Sequence, residues 1–459
     1  MKYDDFNKDE FKILSPTGIL GYGFPVESFM AGMAEKPDLL AVDAGSVDPG
    51  PYYLGAGKPF TDRAGVKRDL GYMLREAMAS DIPVVIGSAG GSGARPHVDW
   101  CRQIIEEIAK EDKLSFKMGI IYADIEKSVV LKAIADGATE PLDGLPELDT
   151  KTIDEATCIV AQMGVKPIIK ALKQDCQVVL AGRAYDPSVF AALPIMLGFD
   201  PGLAVHMGKI LECAAIAAEP GSGSDCVLGT LKKESFVLKA LNPKRKFSAT
   251  STAAHTLYEK SDPYALPGPG GMLDLGGVCF KELSDGMVEV SGSKFVKSER
   301  NMIKLEGARL AGWRTISIAG TRDPIMIKNI DSILEDVKAQ VANILSNEKI
   351  DSKINFHLYG KNAVMSEREP GGDDFTPREL GILIEVLASN QEQANTVCSI
   401  ARSSMLHYGY EGRIATAGNL AFPFSPSDLS AGAVYEFSIY HLMEIDKNES
   451  VFKMETVEI

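Results

Sequence analysis

Four strings of the chain combine acids, arginines and glycines in ways that could do chemistry. Residues 41–57, AVDAGSVDPGPYYLGAG, leave an apolar run at Asp43, set a second acid, Asp48, between two turns, and continue into Tyr52 and Tyr53. A structural Asx turn needs one such acid, so two acids around a Gly-Ser pair suit acid/base work or the orienting of a ligand. On this reading Asp43 fixes the loop while Asp48, helped by a tyrosine hydroxyl, faces the ligand. Residues 87–97, GSAGGSGARPH, offer a nest of N–H groups over Ser88, Gly90, Gly91 and Ser92, with Arg95 at the helix start that follows. Such a nest suits a carboxylate or phosphate oxygen, and equally a tight strand-to-helix turn.

In residues 182–190, GRAYDPSVF, Arg183 leaves an apolar strand. It either pairs with a carboxylate of the fold or clamps an anionic ligand. Asp186, directly before Pro187, reads as a helix cap or as an acid of the site. Residues 250–277 are rich in Pro and Gly and carry His255, Tyr258, Glu259 and Asp262. A loop of this kind is expected to act as a lid or binding loop, and His255 has the most site-like surroundings of the 6 histidines. The candidates are therefore Asp43, Asp48, Asp186 and His255 for catalysis, and Tyr52, Tyr53, Ser88, Gly90, Gly91, Ser92, Arg95 and Arg183 for binding.

Several chemistries lack their signatures. GILGYG, at residues 18–23, has the wrong glycine order for a dinucleotide fingerprint, and GSAGGSGARPH lacks the Lys-Ser/Thr ending of a P-loop. There is no Gly-x-Ser-x-Gly elbow and no metal motif. Two acids five residues apart with no third ligand assign no metal. The 7 cysteines are scattered and odd in number, with no CxxC pair, so no disulfide framework or thiolate zinc site is expected. What remains suits proton abstraction beside a carbonyl or carboxylate with loss or addition of water: an acid/base pair moves the protons while N–H groups hold the enolate oxygen. Hydratase or hydro-lyase chemistry leads. Hydrolysis of an amide or thioester, or ligand binding by a non-catalytic accessory subunit, are the alternatives.

These strings need a scaffold. With 459 residues and 45% hydrophobic composition the chain can bury a large core. Its formal charge of −15 argues against nucleic acid and anionic membrane surfaces and for small-molecule partners. The acidic N-terminus lacks an apolar signal core and no run approaches the roughly 20 residues that span a bilayer, so a cytoplasmic protein is expected. In the first half, short β-rich runs (FKILSP, PDLLAVDAG, IPVVIGSAGG, FKMGIIYAD, CQVVLAGRAYD) alternate with amphipathic stretches such as VDWCRQIIEEIAKE. That alternation predicts an α/β fold, a parallel sheet with helices on both faces. Right-handed crossovers bring the strand ends, and with them the candidate strings, to one rim.

The last third reads as strand, helix, strand, strand, helix, strand after a hairpin turning at Asp285-Gly286. This order predicts a ferredoxin-like (split βαβ) α+β domain. The expected divisions are a parallel α/β domain with the ligand rim over 1–235, a connecting Pro/Gly-rich lid-like segment over 236–290 and the ferredoxin-like domain over 291–459.

Together, ILSPTGILGYG, DAGSVDPGPYYLG, GSAGGSGARPHVDW, AGRAYDPSVFAALP, AAHTLYEKSDPYALPGPGG, EGARLAGWRTISIAGTRDP and GNLAFPFSPSD make the chain resemble the acyclic terpene utilisation (AtuA) family along nearly its whole length. The resemblance implies a cytoplasmic catabolic enzyme or enzyme subunit acting on a small carboxylate or a branched acyl-CoA. It implies no cofactor beyond coenzyme A as part of the substrate, and it supplies no established reaction. Some relatives carry or accompany a small additional domain, so a small partner subunit is an expectation, as is a homo-oligomer.

Overall fold

A computed structural model describes residues 8–142, 144–258, 262–370, 376–414 and 416–459. The chain forms two compact units, Met1–Arg309 with Glu436–Ile459, and Leu310–Tyr435. The first unit thus contains the lid-like stretch, the start of the region expected to be ferredoxin-like, and the end of the chain. The reason lies in pairings distant in sequence: Leu305–Arg309 pair with residues 156–161, and the last strand, Met454–Glu458, returns to Lys117–Ile121.

The fold is α/β. At the centre of a 10-stranded sheet run the parallel strands Glu10–Ser15, Leu39–Asp43, Val84–Gly87, Val178–Ala181 and Lys117–Ile121, in that spatial order. Antiparallel strands extend it on both sides, Val227–Lys232, Ser235–Ala240, Val288–Ser291 and Cys279–Glu282 on one and Met454–Glu458 on the other. The sheet is therefore mixed, with the parallel part that the β-rich runs predict at its heart.

Alternation along the central strands makes two cores. Leu40, Val42, Val84, Ile86, Val178 and Leu180 face Val66, Leu70, Ile104 and Ile105 of the helices Arg63–Ser80 and Arg95–Asp112. Ala41, Val85, Val179 and Ala181 face Ile168, Phe190 and Met207 of the helices Val165–Leu172, Asp186–Met196 and Pro201–Leu211. Each of the large side chains contributes roughly 1.5–3 kcal/mol by burial, which makes the strand register hard to shift.

The stretch expected to be a lid loop is more regular than its composition suggests. It forms a helix, Ala249–Thr256, capped by Ser248, and two strands, Ala265–Gly268 and Gly271–Asp274, that pair in a 3-stranded sheet with Lys294–Lys297. Glu259 lies outside the described residues. The hairpin turn carries Asp285 at φ 60° and Gly286 at φ 68°, the left-handed pair that a tight hairpin favours.

The second unit has the ferredoxin-like order. Ser352–Tyr359 pairs with Leu380–Ala388, which pairs antiparallel with the part of Met302–Thr321 that belongs to this unit; Asp428–Glu444 is the next neighbour. The helices Ile330–Ile344 and Gln391–Leu406 bury Ile333, Val337, Val397 and Ala401 against Ile382, Ile384 and Val386.

Candidate functional site

The strand register places the first chemistry. Asp43, the last residue of its strand, pairs with Gly87, the last of the next. A Cβ at Gly87 would stand 2.2 Å from Val189 Cγ2 and 3.2 Å from Asp43 Oδ1, so only glycine leaves room for the acid beside the helix that carries Val189. Asp43 is 5% exposed. Its Oδ2 accepts from the Gly45 N–H at 3.0 Å, while its Oδ1 has no hydrogen-bond partner among the described residues. Burial pushes the Asp43 carboxyl well above the usual range; Asp186 adds to the rise and Arg183 opposes it.

The glycine string forms a nest of left-handed residues, with Ser88 at φ 46°, Gly90 at 64°, Gly91 at 99° and Gly93 at 67°. Ser88 N–H donates to Gly182 O at 3.0 Å, and Ser88 Oγ accepts from Arg183 Nη1 at 3.1 Å. A Cβ on Gly93 would meet Arg183 N at 2.1 Å and one on Gly45 would meet Gly91 Cα at 3.1 Å, so three of the candidate strings touch backbone to backbone. Ser92 is fully buried and its Oγ has no hydrogen-bond partner among the described residues. The nest is braced by His97. Its Nδ1 accepts from Ala94 N–H at 3.2 Å and its Nε2–H donates toward Lys58 O at 2.8 Å and Tyr53 O at 3.1 Å. Burial lowers the His97 pKa, consistent with the neutral ring these bonds require.

Arg183 joins the parts. Its Nε donates to Glu306 Oε2 at 2.7 Å, and its Nη1 to Asp186 Oδ1 at 2.8 Å and Ala184 O at 2.9 Å as well as to Ser88. Of the two roles open to this arginine, the geometry shows pairing with carboxylates of the fold. Glu306 is fully buried and also receives Gln162 Nε2 at 2.9 Å and Lys304 Nζ at 3.3 Å. Burial works against its charge, but Arg183 and Lys304 outweigh it and hold Glu306 below the usual carboxylate range. Asp186 opens the helix Asp186–Met196, and its side chain keeps 29% exposure. Its pKa is raised, by burial first, with Arg183 pulling the other way.

Tyr185, the residue before Asp186, lies near Lys209 and Glu212. Lys209 and Glu212 form a buried ion pair within one turn of helix. The Tyr185 hydroxyl has no hydrogen-bond partner among the described residues, and burial raises its pKa. A Cβ on Gly268 would stand 2.9 Å from the Tyr185 ring, so the Pro/Gly-rich strand Ala265–Gly268 lies on it. His255, 7% exposed, stacks on Tyr258 with ring centroids 5.6 Å apart, and Lys209 Nζ lies 5.7 Å from the Tyr258 ring.

Asp43, Ser88, Arg183 and Asp186 thus converge, with the Gly90–Ser92 nest beside them and His255 reached through Tyr258. Asp48 stands apart. It is exposed, and its carboxylate accepts from Ser46 Oγ at 2.6 Å in a local turn. The loop reading gives Asp48 to the ligand and Asp43 to the turn; Asp43 does hold its loop through the Gly45 N–H but is buried by the strand register, while Asp48 lies in solvent. Tyr52 is 43% exposed and packs edge-on to Tyr53 at 5.5 Å, and the exposed Arg95 lies 3.7 Å over the Tyr122 ring. Glu306, Gln162, Lys209, Glu212 and Tyr185 were not singled out from the sequence. A signal existed for two of them, since Lys209 stands in a mostly apolar helix and Glu212 directly follows it.

The family model described as acyclic terpene utilisation family protein AtuA matches residues 63–223 and 234–422. The chain belongs to the AtuA family. The matched stretches hold the glycine nest, Arg183, Asp186, Lys209, Glu212, His255 and Glu306, while Asp43 precedes them. Membership in AtuA links the chain to acyclic terpene utilisation. Comparison with curated proteins and with solved structures finds no match. Among the described residues no helix is long and apolar enough to cross a membrane.

Proposed function

We propose that the chain is a cytoplasmic catabolic enzyme that adds water to, or removes it from, a small carbonyl or carboxylate compound, by acid/base chemistry centred on Asp43 and Asp186. The observation that carries this is Asp43 Oδ1, a buried carboxyl oxygen with no hydrogen-bond partner among the described residues, beside a second acid and a fixed arginine. The charges support it. Asp43, Asp186, Glu212 and Glu306 outnumber Arg183, Lys209 and Lys304 by one, so a single proton held on the acids balances the cluster. An acid pair with one proton is poised for both halves of a dehydration.

In the forward step the ionised carboxylate takes the hydrogen on the carbon next to the carbonyl. The protonated partner gives its proton to the departing hydroxyl, a C=C bond forms and water leaves. The carboxyls have then exchanged roles, and hydration runs the same steps in reverse. Charge developing on the carbonyl oxygen would meet the nest at Gly90, Ser92 and Gly93, since the N–H groups of Ser88, Ala89 and Gly91 are taken by the carbonyls of Gly182, Ala181 and Ser88.

The test is incubation with 3-methylcrotonyl-CoA and with mesaconate in deuterated water, following deuterium at the carbon beside the carbonyl by NMR. Incorporation by the native chain that falls by about 10²–10⁴-fold in Asp43→Asn is expected for loss of a general acid/base group. Release of free coenzyme A without deuterium in the acyl group would replace the reading by hydrolysis. Full incorporation in Asp43→Asn would end it.

A further inference from the structure

GILGYG, residues 18–23, carries no dinucleotide fingerprint, yet the fold fixes it more firmly than a plain turn requires. Gly21 and Gly23 take φ of 102° and 84°, values that favour glycine, and both donate their N–H to one carboxylate oxygen, Asp69 Oδ2, at 2.9 and 3.0 Å. Asp69 is 1% exposed, and its other oxygen accepts from Arg68 Nε and Nη2 at 3.0 and 2.9 Å. A Cβ on Gly65 would stand 2.6 Å from Gly21 O, so the loop is pressed onto the start of the helix Arg63–Ser80. Ser224 Oγ donates to Tyr22 O at 3.2 Å. Burying a carboxylate is unfavourable unless hydrogen bonds offset it. Here the whole arrangement serves to fix Tyr22, a side chain that stays 45% exposed.

Two sets of contacts join this loop to the acid site. Leu20 N–H donates to Asp43 O at 3.0 Å. The Tyr22 ring lies 6.3 Å from that of Phe60, and Phe60 sits on the nest: its N–H donates to Gly90 O at 3.1 Å, and a Cβ on Gly91 would stand 2.9 Å from Phe60 Cβ. Ile216, 48% exposed, continues the row, since a Cβ on Gly223 would stand 3.4 Å from the Tyr22 ring and 3.7 Å from Ile216 Cδ1. Phe60, Tyr22 and Ile216 thus make an apolar wall that begins at the nest. Apolar side chains exposed singly are ordinary, whereas a fixed row that runs into a site marks a binding surface. The wall carries no charge of its own, and the ions that hold its loop, Arg68 and Asp69, are bonded to each other.

We infer that Tyr22 is a specificity-determining residue, which with Phe60 and Ile216 receives the uncharged, apolar end of a ligand whose reacting end lies at Asp43 and the nest. Asp69 is its positioning residue, acting through the N–H groups of Gly21 and Gly23. This inference rests on the proposed reading of the site, and adds to it the direction in which the ligand extends, from the nest along Phe60 and Tyr22 to Ile216.

The experiment titrates the whole chain at neutral pH with crotonate and with trans-2-octenoate, which differ only in the length of the tail, by ligand-observed NMR, so that binding is read without turnover. Each methylene removed from water strengthens binding by up to about fourfold, so octenoate is expected to bind the native chain at least about tenfold more tightly than crotonate. In Tyr22→Ala this ratio should fall by about fivefold or more, while Tyr22→Phe, which keeps the ring, should hold it within about twofold. Both variants should melt with the native chain, because the ring is exposed and the loop is held by backbone bonds. A native ratio near one, a native ratio kept in Tyr22→Ala, a ratio lost equally in Tyr22→Phe, or no binding of octenoate would each overturn the inference. If the ratios behave as expected while no probe takes up deuterium, the water-adding reaction fails and the role of Tyr22 stands.

Discussion

Glu306→Gln is the sharpest test of whether the buried network holds the site together. Both carboxylate oxygens of Glu306 are occupied, Oε2 by Arg183 Nε at 2.7 Å and Oε1 by Gln162 Nε2 at 2.9 Å. Glutamine keeps the shape but supplies one acceptor oxygen, so its own NH2 must face one of these two donors. The variant therefore loses a charge-assisted hydrogen bond, worth about 1.5–3 kcal/mol, and leaves a buried donor unmatched at about 1–3 kcal/mol more. Arg183, 3% exposed, keeps Asp186 and Ser88, so the total should stay near the lower end of the roughly 3–5 kcal/mol seen when a buried ion pair loses one partner. At about 2–4 °C per kcal/mol for a large domain, the transition of the first unit should fall by roughly 6–12 °C in calorimetry. A Glu306→Gln protein that melts within about 1 kcal/mol of the native chain would refute the reasoning, because surface ion pairs already behave that way.

The pH dependence has a defined sign. Asp43 is raised in the fold, so between its unfolded value near ~3.9 and its raised folded value the native state holds a proton that the unfolded chain has lost; stability falls as pH rises through that window. Urea midpoints across pH should show this fall in the native chain and a flatter profile in Asp43→Asn. Gly87→Ala, whose methyl would stand 2.2 Å from Val189 Cγ2, should cost about 1–3 kcal/mol or more by thermal melting and displace the acid beside it. Asp48→Asn, at an exposed local turn, should change stability by no more than about 0.5 kcal/mol, with turnover of the deuterium probes unaltered.

The architecture was legible where it follows from local pattern. The β-rich runs with helical stretches between them specify the parallel strands, and the strand–helix–strand–strand–helix–strand order specifies the second unit. What sequence order could not show is return pairing over long distance. Residues 305–309 and 454–458 carry ordinary strand patterns, and nothing local says that their partners lie at 156–161 and 117–121. The same gap hid half of the site. Asp43, Ser88 and Arg183 could be grouped because each ends a strand of one sheet, but Glu306 reaches Arg183 across 123 positions. The difference in burial between Asp43 and Asp48 has a simpler origin: loop composition suggests which residues are polar and mobile, whereas burial at a strand end is set by the neighbouring strand, here by a glycine that leaves the space.

One further asymmetry divides the labour within the acid pair. Asp186 is the first residue of an 11-residue helix, where the unsatisfied N–H groups carry partial positive charge and favour an anion by about 0.3–1 kcal/mol. It is also bonded to Arg183 and keeps part of its surface in solvent, and all three conditions favour its ionised form. Asp43 has none of them in the same degree: it ends a strand, is enclosed, and receives one backbone N–H on one oxygen. These surroundings favour the proton of the proposed acid pair on Asp43 rather than on Asp186. Under the dehydration we propose, Asp186 is then the base and Asp43 the acid that protonates the leaving hydroxyl. Arg183 pairs with Asp186 and Glu306, and in the proposed reaction its charge would keep the two carboxyls in different protonation states, which a pair of identical acids in identical surroundings could not maintain.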